Sequence, residues 1–262
     1  MRHFTRHLCL SCLTALFLTG CATSGLPLGC ESPDQNSTLM HRAVECGASS
    51  AQIRRLAEDG IDVNARDLFD NTPLHLAGDS ETLQTLLALG ADATTTNFYN
   101  ETVLHRAMRD QTAFDVVAID ALLAAGANVN AQDHNGNTAL HVAAMDRRWH
   151  NNTLTRHLLA NGADVNLMNV DGDTPLHLAV KHARQNEFDL EDATWATATF
   201  GAALAIRYRN DGLGRSSVNM IKILIAAGAM QDLRNYAAKT PLDIALSEKK
   251  SGWVTDALTG RR

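Results

Sequence analysis

Residues 137–144 read Asn-Thr-Ala-Leu-His-Val-Ala-Ala, and the phrase at their centre, Thr138-Ala139-Leu140-His141, recurs along the chain. Close copies are Thr72-Pro73-Leu74-His75, Thr102-Val103-Leu104-His105 and Thr174-Pro175-Leu176-His177. Weaker ones are Thr38-Leu39-Met40-His41 and Thr240-Pro241-Leu242-Asp243. Successive threonines lie 34, 30, 36, 36 and 66 residues apart. A second phrase falls between the copies: Gly60-Ile61-Asp62-Val63-Asn64, Gly90-Ala91-Asp92-Ala93, Gly126-Ala127-Asn128-Val129-Asn130, Gly162-Ala163-Asp164-Val165-Asn166 and Gly228-Ala229. Each follows a Leu/Ile-rich turn such as Leu122-Leu123.

Local physics accounts for both phrases. Threonine caps a helix N-terminus, and proline at the next position has helical φ and no N–H to leave unpaired. Glycine after a Leu-Leu pair takes the left-handed position that ends a helix. Asn135-Gly136 and Asp171-Gly172 suit tight turns before the next threonine. Each unit is therefore helix, turn, helix and hairpin-like loop. The period and the T-P-L-H-x-A phrase resemble the ankyrin repeat. The resemblance implies an all-α solenoid of helix-turn-helix units joined by β-hairpin-like loops, with about six repeats over residues 37–262. The spacing of 30 predicts a shortened first helix after Thr72. The spacing of 66 predicts an insertion in the fifth unit, at about 185–216, which carries Phe188, Trp195, Phe200 and Tyr208. Departures at the first and last units suit end units that face solvent.

The N-terminus has a different character. Arg2 and Arg6 precede an apolar run from Leu8 to Phe17, too short to span a bilayer, which takes roughly 20 apolar residues. The run ends in Leu18-Thr19-Gly20-Cys21, which resembles a bacterial lipoprotein lipobox. That resemblance implies a signal peptide over 1–20, cleavage before Cys21, and acylation of Cys21 with fatty chains such as palmitate. Lipid attaches because each buried methylene contributes about 0.8 kcal/mol. Ala22, by the same resemblance, points to the outer membrane and a periplasm-facing domain. Residues 21–36 form a Gly/Pro-punctuated tether. Cys30 and Cys46 then remain of five cysteines. An oxidising periplasm would permit a bridge between them, worth about 3 kcal/mol in the chain-entropy model. Alternatively, Cys46 is a buried small apolar residue.

Composition narrows the function classes. The 262 residues are 20% charged and 5% aromatic, with net charge −6, which becomes −8 without the two arginines of the signal. Such a chain lacks the basic footprint of a nucleic-acid binder. Five of the 11 histidines (His41, His75, His105, His141, His177) occupy the repeat phrase, where the resemblance implies backbone bonding between units. The others show no metal-ligand spacing, and no nucleophile elbow or phosphate loop occurs. No catalytic residue, metal or cofactor is expected.

Recognition of a protein partner is what remains, because a repeat array exposes a long concave surface. By the resemblance, the loop tips include Leu68, Phe69, Phe98, Tyr99, His134, Val170 and Tyr236. Exposed large apolar groups in a row are costly unless covered. They either form one ridge or pack back, each on its own hairpin. A second candidate patch is basic: Arg106, Arg109, Arg147, Arg148, Trp149, Lys181, His182 and Arg184 on first-helix positions. It either steers an acidic partner or is a solvated face paired with local Asp and Glu. The expectation is a monomeric, envelope-anchored lipoprotein that binds a protein. Within that, an immunity-type inhibitor of a toxic enzyme competes with a scaffold for an envelope complex. A gene beside a secreted effector enzyme would favour the first, envelope-assembly neighbours the second.

Overall fold

In a computed structural model of the protein, the structure describes residues 38–109, 114–145, 152–183, 216–250 and 252–260. Their ordered elements are twelve helices, and no strand occurs among the described residues. In chain order they are α1 Leu39–Glu45, α2 Ser50–Glu58, α3 Pro73–Leu76, α4 Ser80–Ala88, α5 Val103–Arg109 and α6 Val116–Ala124. Then come α7 Ala139–Met145, α8 Asn152–Ala160, α9 Pro175–His182, α10 Ser216–Ala226, α11 Pro241–Ser247 and α12 Gly252–Thr259. The 185–215 part of the expected insertion, the signal segment and the tether lie outside the described residues.

The helices stack in two layers. Odd-numbered helices pack on one another in sequence order, and so do the even-numbered ones. The repeat phrase explains the inner, odd layer. Residues two positions after the first five threonines (Met40, Leu74, Leu104, Leu140, Leu176) are buried between the layers, and Leu242 after the sixth is partly buried. Five positions after the threonine stands alanine in all six units, each fully buried, so neighbouring helices can approach closely. Helix α3 has 4 residues where α1, α5 and α7 have 7, as the short spacing after Thr72 requires. Outer helices contribute pairs such as Ile53 and Leu56, Ile119 and Leu122, Leu154 and Leu158. They end on left-handed glycines: Gly90, at φ +90°, lets the Ala91 N–H return 3.0 Å to the Leu86 carbonyl.

Asparagines stitch adjacent units together. Asn64 Nδ2 donates to the Gly90 carbonyl (3.0 Å) while its Oδ1 accepts from the Asp92 N–H (2.8 Å). Asn130 does the same with Gly162 and Asp164, and Asn166 with Gly228 and Met230. Thr94 holds the equivalent place at the next junction, and its hydroxyl turns to its own loop, donating 2.6 Å to Asp92 Oδ1. That junction lacks the pair. Replacing Thr94 by Asn should restore it and stabilise the chain by about 1 kcal/mol, the usual net worth of such bonds. Chemical denaturation checks this, and an unchanged midpoint would show that the stitch adds nothing there.

Candidate functional site

The loop before each threonine is built the same way. An Asp or Asn five residues upstream accepts two backbone N–H groups, closing the turn. Asp67 Oδ1 takes those of Phe69 and Asn71, both at 2.8 Å. Asn97, Asp133, Asn169 and Asn235 repeat the arrangement. Such side chains mimic a backbone turn and tolerate the strained geometry beside them. Two residues before the threonine, the chain is left-handed at Asp70, Asn100 and Ala238, with φ of 57°, 60° and 57°.

Each tip is then bonded to the next. The Phe98 N–H donates to the Phe69 carbonyl at 2.8 Å, that of His134 to Tyr99 at 2.9 Å, that of Val170 to Asn135 at 2.9 Å, and that of Tyr236 to Asp171 at 3.0 Å. This ladder fixes Leu68, Phe98, His134, Val170 and Tyr236 at one phase of successive tips. All are exposed, Phe98 at 59% and Tyr236 at 77%, and so are Phe69 and Tyr99. Phe98 meets Tyr99 edge-on at 5.4 Å between ring centroids, and meets His134 of the next tip at 6.4 Å. The Phe98 and His134 rings thus meet across units, and Phe98 and Tyr99 leave more than half their surface to solvent.

The basic patch is less uniform than its sequence. Arg109 pairs with Glu101, and Lys181 with Asp173, each acid standing eight residues upstream. Burial alone would raise the Glu101 carboxyl, but the Arg109 guanidinium outweighs it and holds the group below the ordinary range. The two cations are therefore neutralised by their own loops. Arg106 is half-buried with no such partner among the described residues, and Arg147, Arg148, Trp149 and Arg184 lie outside them.

The repeat histidines are joints between units. His141 Nδ1 accepts from the Thr138 N–H at 3.1 Å and meets its hydroxyl at 2.9 Å. A nitrogen that accepts from an N–H is unprotonated, so the ring proton sits on Nε2 and is donated to the Asp173 carbonyl at 3.0 Å. His75, His105 and His177 make equivalent bonds to the carbonyls of Glu101, Asn137 and Lys239. His41 reaches the carbonyl of Asn71 at 2.8 Å. Burial pushes His75 and His141 down to about 4 and lowers His105 and His177 as well. In the last unit Asp243 performs the local half of this task. It accepts from the Thr240 N–H at 3.0 Å.

Among known proteins, the family model "Ankyrin repeats (3 copies)" matches residues 74–152 and again 104–190. The crystal structure of EF0377, an ankyrin repeat protein, superposes with TM-score 0.63 at 20% identity, covering 85% of this chain and 97% of that one. An ankyrin repeat domain from Acinetobacter baumannii AYE superposes with TM-score 0.64 at 21% identity, covering 85% and 96% respectively. The fold is the ankyrin-repeat solenoid. No curated protein matches the chain.

Among the described residues no cluster of His, Cys, Asp or Glu is placed to hold a metal ion, and no helix is long and apolar enough to cross a membrane. Cys46 is disulfide-bonded, whereas Cys30 and Cys21 lie outside the described residues. The turn-closing Asp and Asn residues were the part of the tips that the repeat phrase does not announce. Their signal is an acid or amide recurring five residues before each threonine.

Proposed function

We propose that this ankyrin-repeat chain is an envelope-anchored lipoprotein that binds a protein partner through its ridge of hairpin tips. The ridge carries the reading. A row of exposed Phe, Tyr, Leu and Val side chains is costly in a surface that faces only water. Aromatic side chains are also the usual anchors of protein interfaces. The backbone ladder holds them in place beforehand, which reduces the ordering entropy that binding must overcome. Anchoring rests on the Leu18-Thr19-Gly20-Cys21 phrase behind its basic and apolar leader. A disulfide at Cys46 suits the oxidising periplasm, and Cys30 is its proposed partner.

Capture from an envelope extract, with the full chain as bait, tests both parts. Phe98→Ala with Tyr99→Ala should weaken capture about tenfold or more, at an unchanged melting temperature. Undiminished capture rejects the ridge. Cys21→Ala should move the chain from the detergent phase to the aqueous phase on partitioning. Retention in detergent rejects the lipid anchor.

A further inference from the structure

The inner helices carry two kinds of basic residue. Arg109 and Lys181 have carboxylates supplied by their own loops. Lys250, reaching back from the last unit, has Glu248 and the carbonyls of Lys181 and Ala183. Arg42 and Arg106 have none among the described residues. Both are half-buried, and in both the Nε is shielded from solvent with no acceptor among the described residues. A shielded donor of a charged group without an acceptor costs about 1–3 kcal/mol, and native proteins seldom leave one without a use.

Their placement is regular. Each stands four residues after the threonine of its unit, Arg42 on α1 and Arg106 on α5. On α3, between them, the same position is Leu76, partly buried against the core. The face is that of Arg109, since residues three apart on a helix are neighbours. It therefore offers a guanidinium, an apolar floor and a second guanidinium on three successive inner helices. The acids close by are committed elsewhere: Glu101 to Arg109, and Asp79 to capping α4 through the Thr82 N–H. Glu45, one turn beyond Arg42, is exposed and makes no ion pair with it among the described residues.

We propose that Arg42 and Arg106 receive two carboxylates from one extended acidic segment of the protein partner, whose intervening apolar side chain rests on Leu76. This deepens the partner-binding reading and depends on it. Neighbouring packed helices lie about 8–10 Å apart, so the two guanidiniums are separated by roughly twice that. An extended chain advances about 3.3 Å per residue and turns alternate side chains to opposite faces, which places two acids on one face roughly six positions apart. Guanidinium suits this task because its planar fork takes carboxylates in a defined geometry. The segment's spacing, and not only its charge, is thereby specified.

A displayed library of short random peptides, selected on the full chain in detergent, tests the proposal. Enriched peptides should carry two Asp or Glu at that spacing with an apolar residue between, and should elute as salt is raised. Arg42→Gln with Arg106→Gln should lower their enrichment about tenfold or more, since losing one charged pair removes at least that factor. Val117→Ala, at an exposed position of the outer helix α6, should leave it intact. Should the Gln variant melt early, Gln-for-Glu copies of the enriched peptides answer the same question on the unaltered chain. Enriched peptides without acids, or equal binding of acidic and Gln copies, would overturn this proposal and leave recognition by the ridge standing. A chain that enriches no peptide, while its ridge variant also captures partner undiminished, would overturn both.

Discussion

Acidification from neutral pH toward 4 is expected to unfold the repeat array, with histidines starting the loss ahead of the carboxylates. His75 and His141 are held at about 4 by burial, against 6.5 for the free side chain, and His105 and His177 are lowered in the same sense. Each contributes stability that is complete above 6.5. Below that the unfolded chain takes up a proton that the folded chain refuses, and the contribution is gone once the pH has fallen through the folded value. For His75 and His141 the window runs from 6.5 to about 4, and the loss at each is on the order of 3 kcal/mol. Two such losses are comparable to the whole stability of an ordinary domain, about 5–15 kcal/mol. Geometry adds to burial, because a second proton on Nδ1 would point at the threonine N–H that now donates to it. Asp92, Asp115 and Asp243, held low by hydrogen bonds from Thr94, Ala118 and Thr240, extend the loss to lower pH with the same sign. Urea denaturation followed by circular dichroism at stepped pH measures the slope. An unfolding midpoint unchanged between about pH 7 and about pH 4.5 would mean that the junction histidines accept protons without cost.

How far the sequence could be read depended on whether a feature repeats in phase. Thr72, Leu74, His75 and Ala77 each solve a local problem that recurs in every unit, so the phrase alone located the helices and the buried row. The spacing of 30 even anticipated the short α3. Charge pairing was not legible in the same way. Glu101 and Arg109 are eight residues apart, and only the fold of loop over helix brings them together. Arg42 is hidden for the opposite reason. Its unit departs from the phrase as an end unit does, yet it shares the phase of Arg106. The tips were visible as apolar residues in loops, but the ladder joining them involves backbone groups that no side-chain pattern encodes.

Replacing Gly172 by Ala is expected to detach the last unit from the array. Gly172 sits at φ +75°, in the left-handed region, and an added Cβ would lie 2.7 Å from the Tyr236 nitrogen and 2.9 Å from its Cδ1. That nitrogen cannot yield freely, since its N–H is the ladder bond to Asp171. Backbone strain contributes about 1–2 kcal/mol, and displacing the neighbouring tip brings the total to about 3 kcal/mol or more. Gly90→Ala separates the two contributions, because Gly90 has a φ of +90° but nothing within 4 Å of the added carbon. It should show the strain alone. A solenoid holds each unit mainly through its neighbours, so the damage should stay local. Amide hydrogen exchange should accelerate in α11 and α12, with α4 to α8 still protected. Tyr236 would leave the ridge with the unit that carries it, and Lys250 would release the end of α9. Equal destabilisation by the two alanines would mean that strain alone sets the cost, and that contact between tips contributes little to holding the units in register.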